Sequence, residues 1–203
     1  MSLIMGLDVS TSVTGVCVID TESELTSQIL LLDRIEFPRC RTLWDKADVV
    51  STYMDDVIRG SFDDGRLPRG ICVDRVVVEE PLMGFRSGMS SAQTITQLVR
   101  FNGIVSYLAR RTFHKEPEYI GSAHARKLCG MKMQKTSVAG PQKEQVFAYM
   151  AQHDLAHVTW PTMKSGRIVD WSRDATDAYV IARAAANEGV VVHKQKVKKS
   201  KKQ

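Results

Sequence analysis

β-branched and aliphatic runs crowd the first third of the chain, and helical spacings dominate the rest. Leu3 to Val9 is an apolar run interrupted at Asp8, and Val13 to Asp20 is a second, with Ser10-Thr11-Ser12 between them. Two strands joined by a tight turn are predicted. Ile29 to Phe37 reads as a third strand stopped by Pro38, so an antiparallel meander opens the chain. From Thr42 to Ile58 the residues Leu43, Ala47, Val50, Met54, Val57 and Ile58 recur at helical spacing, with Thr42 as N-cap. A polar loop, Ser61 to Gly70, then precedes an apolar strand, Ile71 to Val78, which runs into Glu79-Glu80-Pro81.

Helical spacing returns from Ser90 to Thr112, followed by a short strand at Tyr119-Ile120 and a short basic helix from Ala123 to Leu128. An amphipathic helix follows from Gln142 to His153. Val158 to Trp171 lacks a period and contains Pro161 and Gly166, so a loop is expected before a final helix, Arg173 to Glu188. This order predicts an α/β domain over residues 1–190, with a mixed five-stranded sheet and flanking helices. The lysine-rich residues 191–203 have no apolar face and are expected to be disordered in isolation.

The 203 residues, 43% of them hydrophobic, suffice for one core without disulfides. Cys17, Cys40, Cys72 and Cys129 follow no zinc spacing, and no leader precedes the first strand, which suits reduced thiols in an intracellular protein. The apolar runs fall far short of the roughly 20 residues that span a bilayer. Charge changes the picture more. Residues 1–80 carry a net −7, residues 81–143 a net +8, residues 144–192 a net −2 and the tail +6. The basic middle third, with Arg86, Arg100, Arg126, Lys127, Lys132, Lys135 and Lys143 among its ten cations, points to a polyanion partner.

Four acids fall where secondary structure would bring them together. Asp8 ends the first strand and Glu79 the fourth; parallel and adjacent, these strand ends would stand about 5 Å apart. Glu80 competes with Glu79, because neighbouring strand residues face opposite ways and only one of them can point inward. Asp174 and Asp177, spaced i, i+3 at the start of the last helix, project from one face, although acids there also serve as caps. Such a carboxylate set suits magnesium and two-ion phosphodiester chemistry.

GLDVSTSVTGVCVID, with Asp8, Thr14 and Gly15, resembles the first hairpin of RuvC-type Holliday junction resolvases. VVVEEP is similar to that family's glutamate strand and DATDAYVIA to its closing D-x-x-D-A helix, while Tyr119 to Met150 resembles its middle segment, with Lys143, Gln145 and Val146 in place. The resemblance implies a ribonuclease H-like fold and a metal-dependent crossover junction endonuclease active in recombination and repair. It implies two Mg2+ or Mn2+ ions on Asp8, Glu79, Asp174 and Asp177, Glu79 being favoured over Glu80, and Lys143 beside the scissile phosphate. It further implies a homodimer that nicks branched DNA without a small-molecule cofactor; the Ser90–Arg110 helix, with apolar Ile95, Leu98, Val99, Ile104 and Leu108, offers either an ordinary core face or a core face together with the dimer contact. Phe85 and Arg86, in the loop LMGFRSGMS, would contact the junction, and Arg126, Lys127, Lys132, Lys135 and Lys143 the DNA. The loops Arg59–Gly70 and Val158–Trp171 have no counterpart in that pattern.

Three rival readings follow from the same residues. The hairpin also resembles the first phosphate loop of actin and sugar-kinase ATPases, which need a second such domain. A noncatalytic DNA-binding protein could keep the fold, but all four acids are present. A nuclease acting on flap DNA, RNA or an RNA:DNA hybrid would leave few distinguishing marks in sequence.

Overall fold

Alternation in the first strand decides how the layers stack. The computed structural model describes residues 2–25, 28–62, 67–81 and 91–200, with side chains as far as Glu188. In β1 (Leu3–Asp8), Leu3, Met5 and Leu7 enter one core, while Ile4 enters another on the opposite face. β2 (Val13–Asp20) divides likewise, Val16 and Val18 to one side and Cys17 and Ile19 to the other. Both faces are therefore covered. β1 pairs antiparallel with β2, and β2 with β3 (Ile29–Glu36), which is the predicted meander.

β4 (Arg75–Glu79) lies parallel to β1, and β5 (Glu118–Ile120) parallel to β4, giving the sheet order β3-β2-β1-β4-β5. The expected strand from Ile71 begins pairing only at Arg75; Ile71 and Val73 are buried ahead of it without joining the ladder. Apolar character marked burial there, and pairing needed a partner strand that begins no earlier.

One face is closed by α1 (Leu43–Arg59) and α2 (Ala92–Phe113). Thr42 caps α1 as predicted: its hydroxyl accepts from the Asp45 amide, and the Asp45 carboxylate accepts from the Thr42 amide. The other face carries α3 (Ser122–Leu128), α5 (Gln142–Gln152) and α6 (Ser172–Ser200). α4 (Thr136–Ala139) is a single turn in a polar stretch where no helix was expected. The α6 backbone continues to Ser200, past the predicted end at Glu188. In the aperiodic loop, Thr162 and Ile168 form an isolated antiparallel bridge. The four cysteines are free, and no helix among the described residues is long and apolar enough to cross a membrane.

α6 rests directly on backbone. A Cβ on Gly6 would collide with the carbonyl oxygen of Ala178, and one on Gly15 with that of Asp174. Ala175, Ala178, Ala182 and Ala185 keep the helix side of this contact equally thin. Gly15→Ala is therefore expected to cost about 1–3 kcal/mol through overpacking. Gly103→Ala in α2, where a Cβ meets nothing within 4 Å, should instead stabilise by about 0.5–1 kcal/mol. Urea unfolding of both variants tests the contact, and equal midpoints would refute it.

Candidate active site

Sheet register places the first two acids. Leu7 pairs with Val78, so Asp8 and Glu79 follow side by side at the ends of parallel strands. Both lie on the face that carries α6, because Leu7 and Val78 belong to the opposite core. Asp8 is buried, and Glu79 shares a side-chain hydrogen bond with it. Glu80, just past the end of the strand, is exposed, its backbone amide donating to the Ile120 carbonyl. The strand's alternation thus turns Glu79 toward α6.

α6 delivers the other two. Asp174 lies in its first turn, against Gly15, and Asp177 is buried one turn on. The Lys143 ammonium stands among these acids, 2.6 Å from Asp174 Oδ1 and 3.6 Å from both Asp8 Oδ2 and Asp177 Oδ2. Among the described residues, no three acid, histidine or cysteine side chains close on a point as a metal cage would; the ammonium lies between them.

The electrostatics follow from this crowding. Burial, then the hydrogen bond to and charge of Asp8, then Asp177, push the Glu79 carboxyl up to about 9, against a smaller opposing effect of its Ser122 hydrogen bond. Burial and the Asp8 charge raise Asp177 to about 7, with Lys143 and Arg126 opposing. Burial works against the Lys143 ammonium, but Asp8, Asp174 and Asp177 outweigh it and raise its pKa. Asp8 Oδ2 is buried without a hydrogen-bond partner.

Several positioning groups escaped the sequence reading. Arg173 grips Glu144 with two hydrogen bonds of 3.0 Å, and its guanidinium lies 4.5 Å from the Phe147 ring centre. Glu144 follows Lys143 in sequence and Arg173 precedes Asp174, so this clamp between α5 and α6 aligns the ammonium with the carboxylate. Asn102, buried in α2, donates to the Glu79 carbonyl at 3.0 Å. A lone asparagine within the apolar stripe of Phe101, Val105 and Ala109 was the available signal.

The basic residues expected at DNA divide into two groups. Arg126, on α3, donates to Gln142 of α5 at 2.9 Å and acts electrostatically on Asp177, so it borders the acids. Lys127, Lys132 and Lys135 are exposed on α3 and the segment after it. Phe85 and Arg86 lie outside the described residues. In α2, Leu108 is core and Ile104 packs against it, whereas Ile95, Leu98 and Val99 are half-buried.

No protein-family model and no curated protein matches the chain. Solved structures do. RuvC of Thermus thermophilus in complex with a Holliday junction substrate aligns with a TM-score of 0.60 at 14% identity, over 94% of this chain and 96% of that one. A Thermus thermophilus RuvC structure aligns at 0.57 and 16% identity, over 93% and 96%. The chain has their ribonuclease H-like fold.

The raised Glu79 and Asp177 carboxyls make the metal-free protein's stability depend on pH. Their folded pKa values exceed the unfolded ones, so the protonated forms stabilise the fold at low pH. That contribution is lost as pH rises through about 7 for Asp177 and about 9 for Glu79. In EDTA, the unfolding midpoint should fall between about pH 5 and about pH 9, and Glu79→Gln should flatten the decline. An unchanged slope in the variant would contradict the assigned environment.

Proposed function

We propose that the chain is a metal-dependent endonuclease that nicks branched DNA, four-way junctions above all, as a homodimer with one active site in each subunit. The observation that carries this reading is the convergence of Asp8, Glu79, Asp174 and Asp177 on one sheet edge, in a fold shared along almost the whole chain with a protein known bound to a Holliday junction. Two opposed strands need two cuts, which a two-fold dimer supplies. The half-buried apolar residues Ile95, Leu98 and Val99 of α2 support such a contact.

The donor set suits magnesium or manganese. All four ligands offered are carboxylates, Asp8 Oδ2 is buried without a hydrogen-bond donor, and burial holds two of the acids away from their charged forms, an expense that divalent cations would offset. Asp8, Glu79, Asp174 and Asp177 would hold the two ions, which supply activation of water and stabilisation of the leaving 3′ oxygen. Lys143 has a long, half-exposed stem. Released from the acids, its ammonium can meet the scissile phosphate and neutralise charge that grows in the transition state. Arg126 sits where it can hold the neighbouring phosphate, while exposed Lys127, Lys132 and Lys135 attract the strand over a longer range. The Arg173–Glu144 pair holds α5 against α6, so the backbone that carries Lys143 stays beside the acids.

Magnesium-dependent nicking of a synthetic four-way junction is the expected activity. Asp8→Asn or Asp174→Asn should abolish it while junction binding persists, and Lys143→Ala should slow it by about 10²–10³. A carboxylate variant that still cuts would sink the site assignment. A panel of four-way junction, flap, duplex and RNA:DNA hybrid decides the substrate, and preference for the linear hybrid would overturn the junction reading.

A further inference from the structure

The chain leaves β3 at the carboxylate edge of the sheet. Asp8 pairs with Gly15, and two residues earlier in β2 Val13 pairs with Glu36, the last residue of β3. The segment that follows, Phe37 to Thr42, leads into α1 and includes Arg39 in the left-handed region at φ 64°. Arg39 and Arg41 are exposed, and neither forms an ion pair among the described residues.

Trp44 stands in the first turn of α1, 71% exposed. The other tryptophans are packed, Trp160 against Phe147 and Trp171, and Trp171 under Arg34. Trp44 cannot fold inward, because Ala47, Val50, Met54 and Val57 define the buried face of α1 and the capping box holds the turn rigid. Lys46 anchors this turn beside the site: its ammonium donates to the Thr11 carbonyl at 2.6 Å, three residues beyond Asp8. Asp45 directs its carboxylate to the Arg41 and Thr42 amides, and exposed Asp48 one turn on would repel phosphate farther along the helix.

We infer that Trp44, preceded by exposed Arg39 and Arg41, is a stacking platform for a base of single-stranded DNA that leaves the carboxylate site across the β1–β2 turn. The inference rests on the reading that this chain handles DNA. A single large exposed aromatic that follows two exposed arginines by three and five residues suits a base and its phosphates. It does not suit a protein partner, which would require a contiguous apolar patch. The remaining exposed large hydrophobics with described surroundings, such as Tyr107, Tyr119 and Val138, lie on other elements.

Fluorescence anisotropy of the full chain in EDTA tests it, with a labelled oligothymidylate and an abasic strand of equal length. Trp44→Ala should weaken binding of the oligothymidylate about 10-fold and leave the abasic strand unaffected, whereas Trp44→Phe should retain most of the affinity. Arg39→Ala with Arg41→Ala should weaken both strands and lower the salt slope by about 1.4. Equal binding of both strands by Trp44→Ala and the unaltered chain would overturn the stacking site. Failure of the unaltered chain to cut any junction with magnesium would remove the resolvase reading alone, since the strand comparison is made without cleavage.

Discussion

The contact between α6 and the sheet sets everything else. Gly6 and Gly15 offer no side chain, and the alanines of α6 offer one carbon each, so helix backbone lies almost on strand backbone. A helix packed at an ordinary distance would carry Asp174 and Asp177 away from Asp8 and from the Lys143 ammonium that all three now face. The same approach positions the first turn of α6 over Gly15, where Asp174 emerges. Stability and site geometry thus depend on two positions with nothing to add.

Once assembled, the acids oppose one another. Burial and mutual repulsion raise Glu79 and Asp177, and one ammonium cannot compensate four carboxylates. The Lys143 ammonium lies within 3.6 Å of three of these acids, next in the chain to the Glu144–Arg173 pair. Such a site retains its geometry because the surrounding helices and strands fix it, at a cost in local stability that is common where function demands like charges together.

Much of this organisation was legible locally. The three-strand meander, the capped helix at Thr42 and the closing helix followed from periodicity and from Thr, Pro and Gly placed at element ends. The start of β4 did not, because Ile71 and Val73 are buried like strand residues without a partner to pair with. Asn102 and Arg173 were missed because each acts on a residue distant in sequence, 23 positions away for Glu79 and 29 for Glu144.

Residue chemistry and spacing along the chain identified the acids, placed Asp8 and Glu79 at strand ends and set Asp174 and Asp177 on one helical face, since these are properties of a strand's two-residue and a helix's 3.6-residue repeat. They left Glu80 as a competitor to the favoured Glu79, and it was the family resemblance that singled out Lys143 among the lysines. Tertiary structure chose between them: pairing of Leu7 with Val78 turned Glu79 toward α6, and helix packing brought Lys143 to an aspartate 31 residues away. Those choices depend on which faces are buried against which partners, a constraint that acts between distant segments and leaves no local repeat to read.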